Sequence, residues 1–191
     1  MKKAKKVLAL LLCAVLLVGA SVAGTLAYLT DNDNATNTFT VGKVDIDLKE
    51  YEVDAQTGLK TTTTTDAGLT DLELVPGRTI QKNPFITVAS DSETCWLFVK
   101  IENNLGDAVT INGLTNWTPV DGHAGYYMYN ATVDAGATVV VFESVTVANT
   151  ETQATLDAIA NKNIAITAYA VQAEGVDKTA AWGALDAHHD L

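Results

Sequence analysis

Polar and apolar residues alternate along much of the chain. In the run NTFTVGKVDIDL, Phe39, Val41, Val44, Ile46 and Leu48 alternate with polar neighbours, apart from a one-residue slip of phase at Gly42 and Lys43. A period of two sends successive side chains to opposite faces of a strand, and a slip at a glycine predicts a bulge. The same pattern predicts strands over residues 79–88, 94–103, 108–111, 126–131, 138–147 and 164–172. Turn-forming pairs stand between them, among them Pro76-Gly77, Asn112-Gly113, Asp121-Gly122 and Ala135-Gly136. Short strands punctuated in this way predict an all-β sandwich or barrel rather than a parallel α/β sheet. Two segments change period. Residues 151–161 place Ala154, Leu156, Ile159 and Ala160 near helical spacing, with Thr150 or Thr152 available as a cap. Residues 179–188 place Ala181, Trp182 and Leu185 on one face, so a second short helix is expected there. Residues 53–70 have little apolar periodicity, and the threonines at every position from 61 to 65 could form a two-faced polar strand or an exposed loop; the loop is expected, because nothing there can be buried in register.

The front of the chain has a different pattern. Lys2, Lys3, Lys5 and Lys6 precede the apolar run VLALLLCAVLLV, which gives way to the small residues of GASVAGTLA. That is the grammar of a secretory signal peptide. Thr25 and Ala27 are small enough for the two side-chain pockets of a signal peptidase, so cleavage is expected after Ala27, with Tyr28 as the first mature residue. The apolar run is shorter than the roughly twenty residues that span a bilayer, so no stable membrane insertion is expected after cleavage. Residues 1–27 are therefore expected to be a signal and residues 28–191 a single domain.

Charge then reads in two parts. The whole chain carries 12 basic and 23 acidic residues, a formal net charge of -11. Removing the four lysines of the leader leaves -15 on the mature part. Such an acidic domain repels polyphosphate, and nucleic acid is not an expected partner. The charged fraction is 18% against 48% hydrophobic, which favours a packed core over a disordered chain.

Candidate chemistry is sparse. Cys13 leaves with the leader, so Cys95 is the one mature thiol, set in the apolar stretch CWLFV and expected to be a core residue. His123, His188 and His189 show no zinc-ligand spacing, and no metal site is expected. The TDNDNAT segment places Asp31 and Asp33 two apart but lacks the glycine and glutamate of a calcium loop, and it is expected to be a hydrophilic leader into the first strand. Asp45 and Asp47 share one face of a strand and are expected to form a solvent-facing stripe. No nucleophile elbow, P-loop, C-x-x-C or dinucleotide fingerprint occurs, so neither a catalytic residue nor a cofactor is expected. Trp96, Trp117, Tyr126, Tyr127, Tyr129 and Trp182 are candidates for a sugar-binding groove as well as for the core.

One stretch is more specific. AGTLAYLTDNDNATNTFTVGKVDIDL resembles the start of the TasA/camelysin (CalY) family of exported Gram-positive surface proteins. The resemblance is carried by Gly24, Thr25, Leu26 and Ala27 at the cleavage region, by the segment from Tyr28 to Asp31, and by Asn37, Phe39, Gly42, Val44, Asp45 and Ile46. A further likeness lies in LELVPGRTIQKNPFITVAS followed by CWLFVKIENN. The resemblance implies processing by a SipW-type signal peptidase. It also implies a secreted, jelly-roll-like antiparallel β-sandwich with one or two short helices, belonging to the extracellular or biofilm matrix. It further implies self-association into fibres, with an N-terminal strand bearing Phe39, Val41, Val44, Ile46 and Leu48 donated to the sheet of the next subunit. A camelysin-like metallopeptidase and a surface carbohydrate- or peptide-binding module are the alternatives.

Overall fold

The structure is a computed structural model that describes residues 43–66, 73–159 and 162–189, the side chain of His189 excepted. The signal-cleavage residues Thr25, Ala27 and Tyr28, the bulge at Gly42, and the donor positions Phe39 and Val41 lie outside the described residues. The described elements run β1 (Ile46–Val53), β2 (Lys60–Asp66), β3 (Thr79–Ile80), β4 (Pro84–Val88), β5 (Cys95–Asn103), β6 (Val109–Asn112), β7 (Trp117–Pro119), β8 (Tyr126–Tyr129), β9 (Thr138–Val140), β10 (Ser144–Val147), α1 (Gln153–Asp157), β11 (Ile164–Gln172) and α2 (Lys178–His189). They form three antiparallel sheets, ordered β2-β1-β4-β9, β3-β10-β6 and β11-β5-β8-β7. The result is an antiparallel β-sandwich with short helices and no closed barrel. No described helix is long and apolar enough to cross a membrane.

Alternation decides which face each strand buries. On β5, Cys95, Leu97, Val99 and Ile101 face the core at 0–6% exposure, while Trp96 and Phe98 face the other way. Ile80, Ile86, Val88, Val139, Val145 and Val147 meet the β5 residues from the opposite layer. The outward Phe98 is covered in turn by Ala181 and Leu185 of α2. This third layer explains why β5 is apolar on both sides, as a strand buried on both faces must be.

Two expected strands are each broken in two. Residues 79–88 become β3 and β4, and residues 138–147 become β9 and β10, with the fragments falling in different sheets. β3 pairs with β10, while β4 pairs with β9, so the two chains cross from one sheet to the next side by side. Sandwiches turn corners in this way, through bends in strands that switch sheets. The apolar pattern runs through the second break because Val141 and Phe142 stay fully buried at the bend. The expected loop over residues 53–70 is corrected as well, because β2 forms there and pairs with β1. Its threonines are almost all exposed, so they form a two-faced polar edge strand that carries no hydrophobic signature. β7 has no counterpart among the expected strands. α1 is capped by Thr152, whose side chain accepts from the Thr155 amide while Thr155 reaches back to the Thr152 amide.

Candidate functional site: the open flank of the sandwich

The described part of the expected donor strand, Val44, Ile46 and Leu48, packs within its own domain. Ile46 pairs with Val88 and Leu48 with Ile86, and both pack against the core together with Val44. The segment before β1 is tied down too. The Ala89 amide donates to the Asp45 carbonyl at 2.9 Å, and the Glu93 amide to the Lys43 carbonyl at 2.9 Å. Lys43 also bridges Asp91 at 2.8 Å and Asp45 at 3.2 Å. These contacts hold Lys43 above its ordinary pKa, chiefly through its hydrogen bond to Asp91, and Asp91 is held below its own by the same bond. Asp45 and Asp47 are both exposed, and each lies beside a lysine, Asp47 being 2.7 Å from Lys49. The described chain thus starts from a fixed point at one end of the sandwich.

β11 lies at the edge of its sheet. Its nine residues pair in unbroken register with β5, from Ile164 opposite Asn103 to Gln172 opposite Cys95. Among the described residues it has no second strand neighbour. Across the layers it faces β1. On this flank the inward apolar residues Val44, Ile46, Leu48, Ile166, Ala168 and Ala170 are only partly buried, although they belong to the main core cluster. Their counterparts one strand inward, Ile86, Val88, Leu97 and Val99, are sealed at 0–1% exposure. The core is therefore sealed in the middle and, among the described residues, only half-covered along the β1/β11 side. Two of the three half-covered β11 residues are alanines, which leave room for larger side chains.

Two of the other edges, β2 and β7, are less receptive. β2 carries a register irregularity opposite residues 51–53 of β1, and the Thr63 amide donates to the Thr61 hydroxyl of its own strand. A bulge and an internally satisfied amide both blunt an edge. β7 is three residues long, and its Trp117 indole donates to the Val140 carbonyl at 3.0 Å, locking it under β9.

The remaining candidate residues are accounted for by packing. Cys95 is fully buried, and desolvation pushes its thiol up to about 11, which makes it a poor nucleophile. His123 lies in a turn with its ring 5.0 Å from that of Trp182, and Trp182 also contacts Tyr126 at 5.5 Å and Phe98 at 5.6 Å. The Trp96 indole donates to the Val176 carbonyl at 2.8 Å. Trp117 is 5% exposed and meets Tyr129 edge to face at 5.1 Å, and Tyr129 joins Tyr127 against the core. The Trp and Tyr set is thus divided between the core and the layer under α2. Among the described residues no group of three or more His, Cys, Asp or Glu could hold a metal ion. No sequence signal pointed to the open flank, because partial burial of Ile166, Ala168 and Ala170 depends on what lies over them. No family model matches the chain, and neither a curated protein nor a solved structure matches it.

Proposed function

We propose that the chain is an exported structural protein of the cell surface or extracellular matrix, processed after Ala27 by a SipW-type signal peptidase. In this reading its copies join by strand donation. Residues 28–42 of one copy pair with the free edge of β11 in another, and Phe39 and Val41 cover Ile166, Ala168 and Ala170. The observation that carries the reading is the contrast between the sealed centre of the core and its half-covered flank along β1 and β11. An added strand supplies main-chain hydrogen bonds to the edge and apolar side chains to the groove, which is β-augmentation. Burial of each large apolar side chain contributes about 1.5–3 kcal/mol.

Val44, Ile46 and Leu48 also belong to the strand that the family resemblance suggests is donated. In the folded domain they are engaged with β4 and the core. The segment available without unfolding β1 is the one upstream of Lys43. Fifteen extended residues reach at most ~50 Å, enough to bridge to a neighbouring domain of this size.

The test compares two forms, residues 28–191 and residues 43–191, by sedimentation and electron microscopy. The longer form is expected to assemble and the shorter to stay monomeric with an unchanged circular dichroism spectrum. Assembly of the shorter form to the same extent would remove strand donation from the account.

A further inference from the structure

Among the described residues, the backbone groups of β11 that β5 does not pair and the side chains that β11 turns to the core belong to the same positions. The Ala173 amide donates to the Thr94 carbonyl at 2.9 Å, and the Asn104 amide to the Asn163 carbonyl at 3.1 Å. These two bonds bracket the unbroken register between β11 and β5. Hydrogen-bonded pairs alternate along an antiparallel ladder, so the odd-numbered positions of β11 bond to β5 and the even-numbered ones point their amides and carbonyls away from it. Ile166, Ala168 and Ala170 are even-numbered and pack inward, while Tyr169 and Val171 pack on the other face, under α2. A residue of an added strand directly opposite an even position shares its face, so that side chain enters the core.

The inward row is uneven. Ile164 and Ile166 are followed by Ala168 and Ala170, which lie opposite Val99 and Leu97 of β5, both fully buried. Two small residues in succession leave a shallow bay at the half-covered margin of the core. An added strand fills it only with a large apolar side chain, because a gap forfeits the contacts of every atom that lines it. Phe39 is the one phenylalanine in residues 28–42. A slip of one residue would turn its ring to the opposite face of the sheet.

Charge selects the same two segments. β11 carries no charged residue over its nine positions, and residues 34–42 carry none, although the chain has a net charge of -11. The β2 edge, by contrast, holds Lys60 and Asp66. Two copies of an acidic chain thus meet through segments that add no charge to the contact, where self-repulsion is least. We propose that Ala168 and Ala170 determine the specificity of self-assembly, forming a bay that accepts Phe39 of a second copy and fixes the register of the donated strand. This inference rests on the strand-donation reading and adds to it the contact that selects the partner.

The test measures assembly of residues 28–191 by sedimentation in four forms: wild type, Ala168→Leu, Phe39→Ala and the two replacements combined. Each single replacement is expected to raise the critical concentration about tenfold or more, the first by filling the bay and the second by leaving it empty. The combined form should return close to wild type, because the new leucine occupies the space that the ring vacates. Ala168 is only partly buried, so Ala168→Leu should melt as wild type does, and Ala170→Leu takes its place if it does not. Thr167→Leu, on the exposed face of the same strand, should leave assembly unchanged. Wild type that assembles no better than Ala168→Leu, a combined form no better than either single one, or equal loss in Thr167→Leu would overturn the bay and leave strand donation standing. Wild type that does not assemble at all would remove strand donation and this inference together.

Discussion

Lys82 and Glu50 form an ion pair within the sandwich, with Nζ 2.9 Å from Oε1 and 2.8 Å from Oε2. The two side chains are only 10% and 2% exposed. Glu50 lies on the inward face of β1, two and four residues after Leu48 and Ile46, where the alternation would place another apolar side chain. Lys82 comes from the bend between β3 and β4, so the pair fastens that bend to β1 from inside. Only Oε1 is aligned for a hydrogen bond, while Oε2 has charge attraction but no directed donor.

Removing one partner of such a pair leaves a buried charge uncompensated. Glu50→Ala or Lys82→Ala is expected to destabilise the fold by about 3–5 kcal/mol, read from urea unfolding. The double replacement Glu50→Leu with Lys82→Met should recover most of that loss, because it removes both desolvation costs together. Losses that simply add in the double variant would mean the two residues act independently.

Cys95 provides a second check on the core. Its thiol lies at about 11 because burial disfavours the thiolate. At neutral pH a thiol reagent is expected to label native protein orders of magnitude more slowly than protein in urea. Rapid labelling of the native state would contradict the packing of β5 against the core.

The Lys43 and Asp91 contact gives a signed pH dependence. Asp91 sits below its ordinary value of 3.8 in the folded state. Its contribution is therefore fully present above that value and disappears as pH falls through the lower folded value. Lys43 sits above its ordinary 10.5, so its share is present below that value and is lost as pH rises past the higher folded one. Both groups are exposed, so the effect is small and screened by salt. Hydrogen exchange at the Ala89 and Glu93 amides should accelerate relative to the rest of the domain below about pH 4, the ordinary range for a carboxylate. Asp91→Asn should abolish that acid dependence, and an unaltered profile would detach the bridge from the anchoring of this segment.

Gly113 tests the geometry of the bend. Its φ of +92° and the 2.6 Å approach to Glu143 both exclude a side chain. Gly113→Ala is expected to cost about 1–3 kcal/mol in thermal unfolding. Pairing it with Glu143→Ala removes only the Cγ contact and leaves the Glu143 Cβ at 2.8 Å and its backbone nitrogen at 2.9 Å, so most of the loss should persist, and full recovery would show that neither φ nor that close approach contributes.

Much of the fold was legible where one face of a strand is buried. β5 and β11 were expected over residues 94–103 and 164–172 and form over Cys95–Asn103 and Ile164–Gln172. Alternation failed where burial does not alternate. The threonines of β2 face solvent on both sides, so that strand carries no period. At the bend, Val141 and Phe142 are both buried, so the apolar run looks continuous although the chain changes sheets. The flank was illegible for a related reason. Ala168 acquires its significance from neighbours dozens of residues away, such as Val99 opposite it, and composition records none of them.

Strand donation to β11 makes one local demand, that its free-edge amides become hydrogen-bonded only on assembly. Hydrogen exchange across Ile164–Gln172 should therefore be measured in monomeric and assembled protein of residues 28–191. The account predicts that alternate amides of β11, those not already paired with β5, gain strong protection on assembly, while β2 and β7 change little. Assembly that leaves the β11 amides exchanging as in the monomer would contradict it.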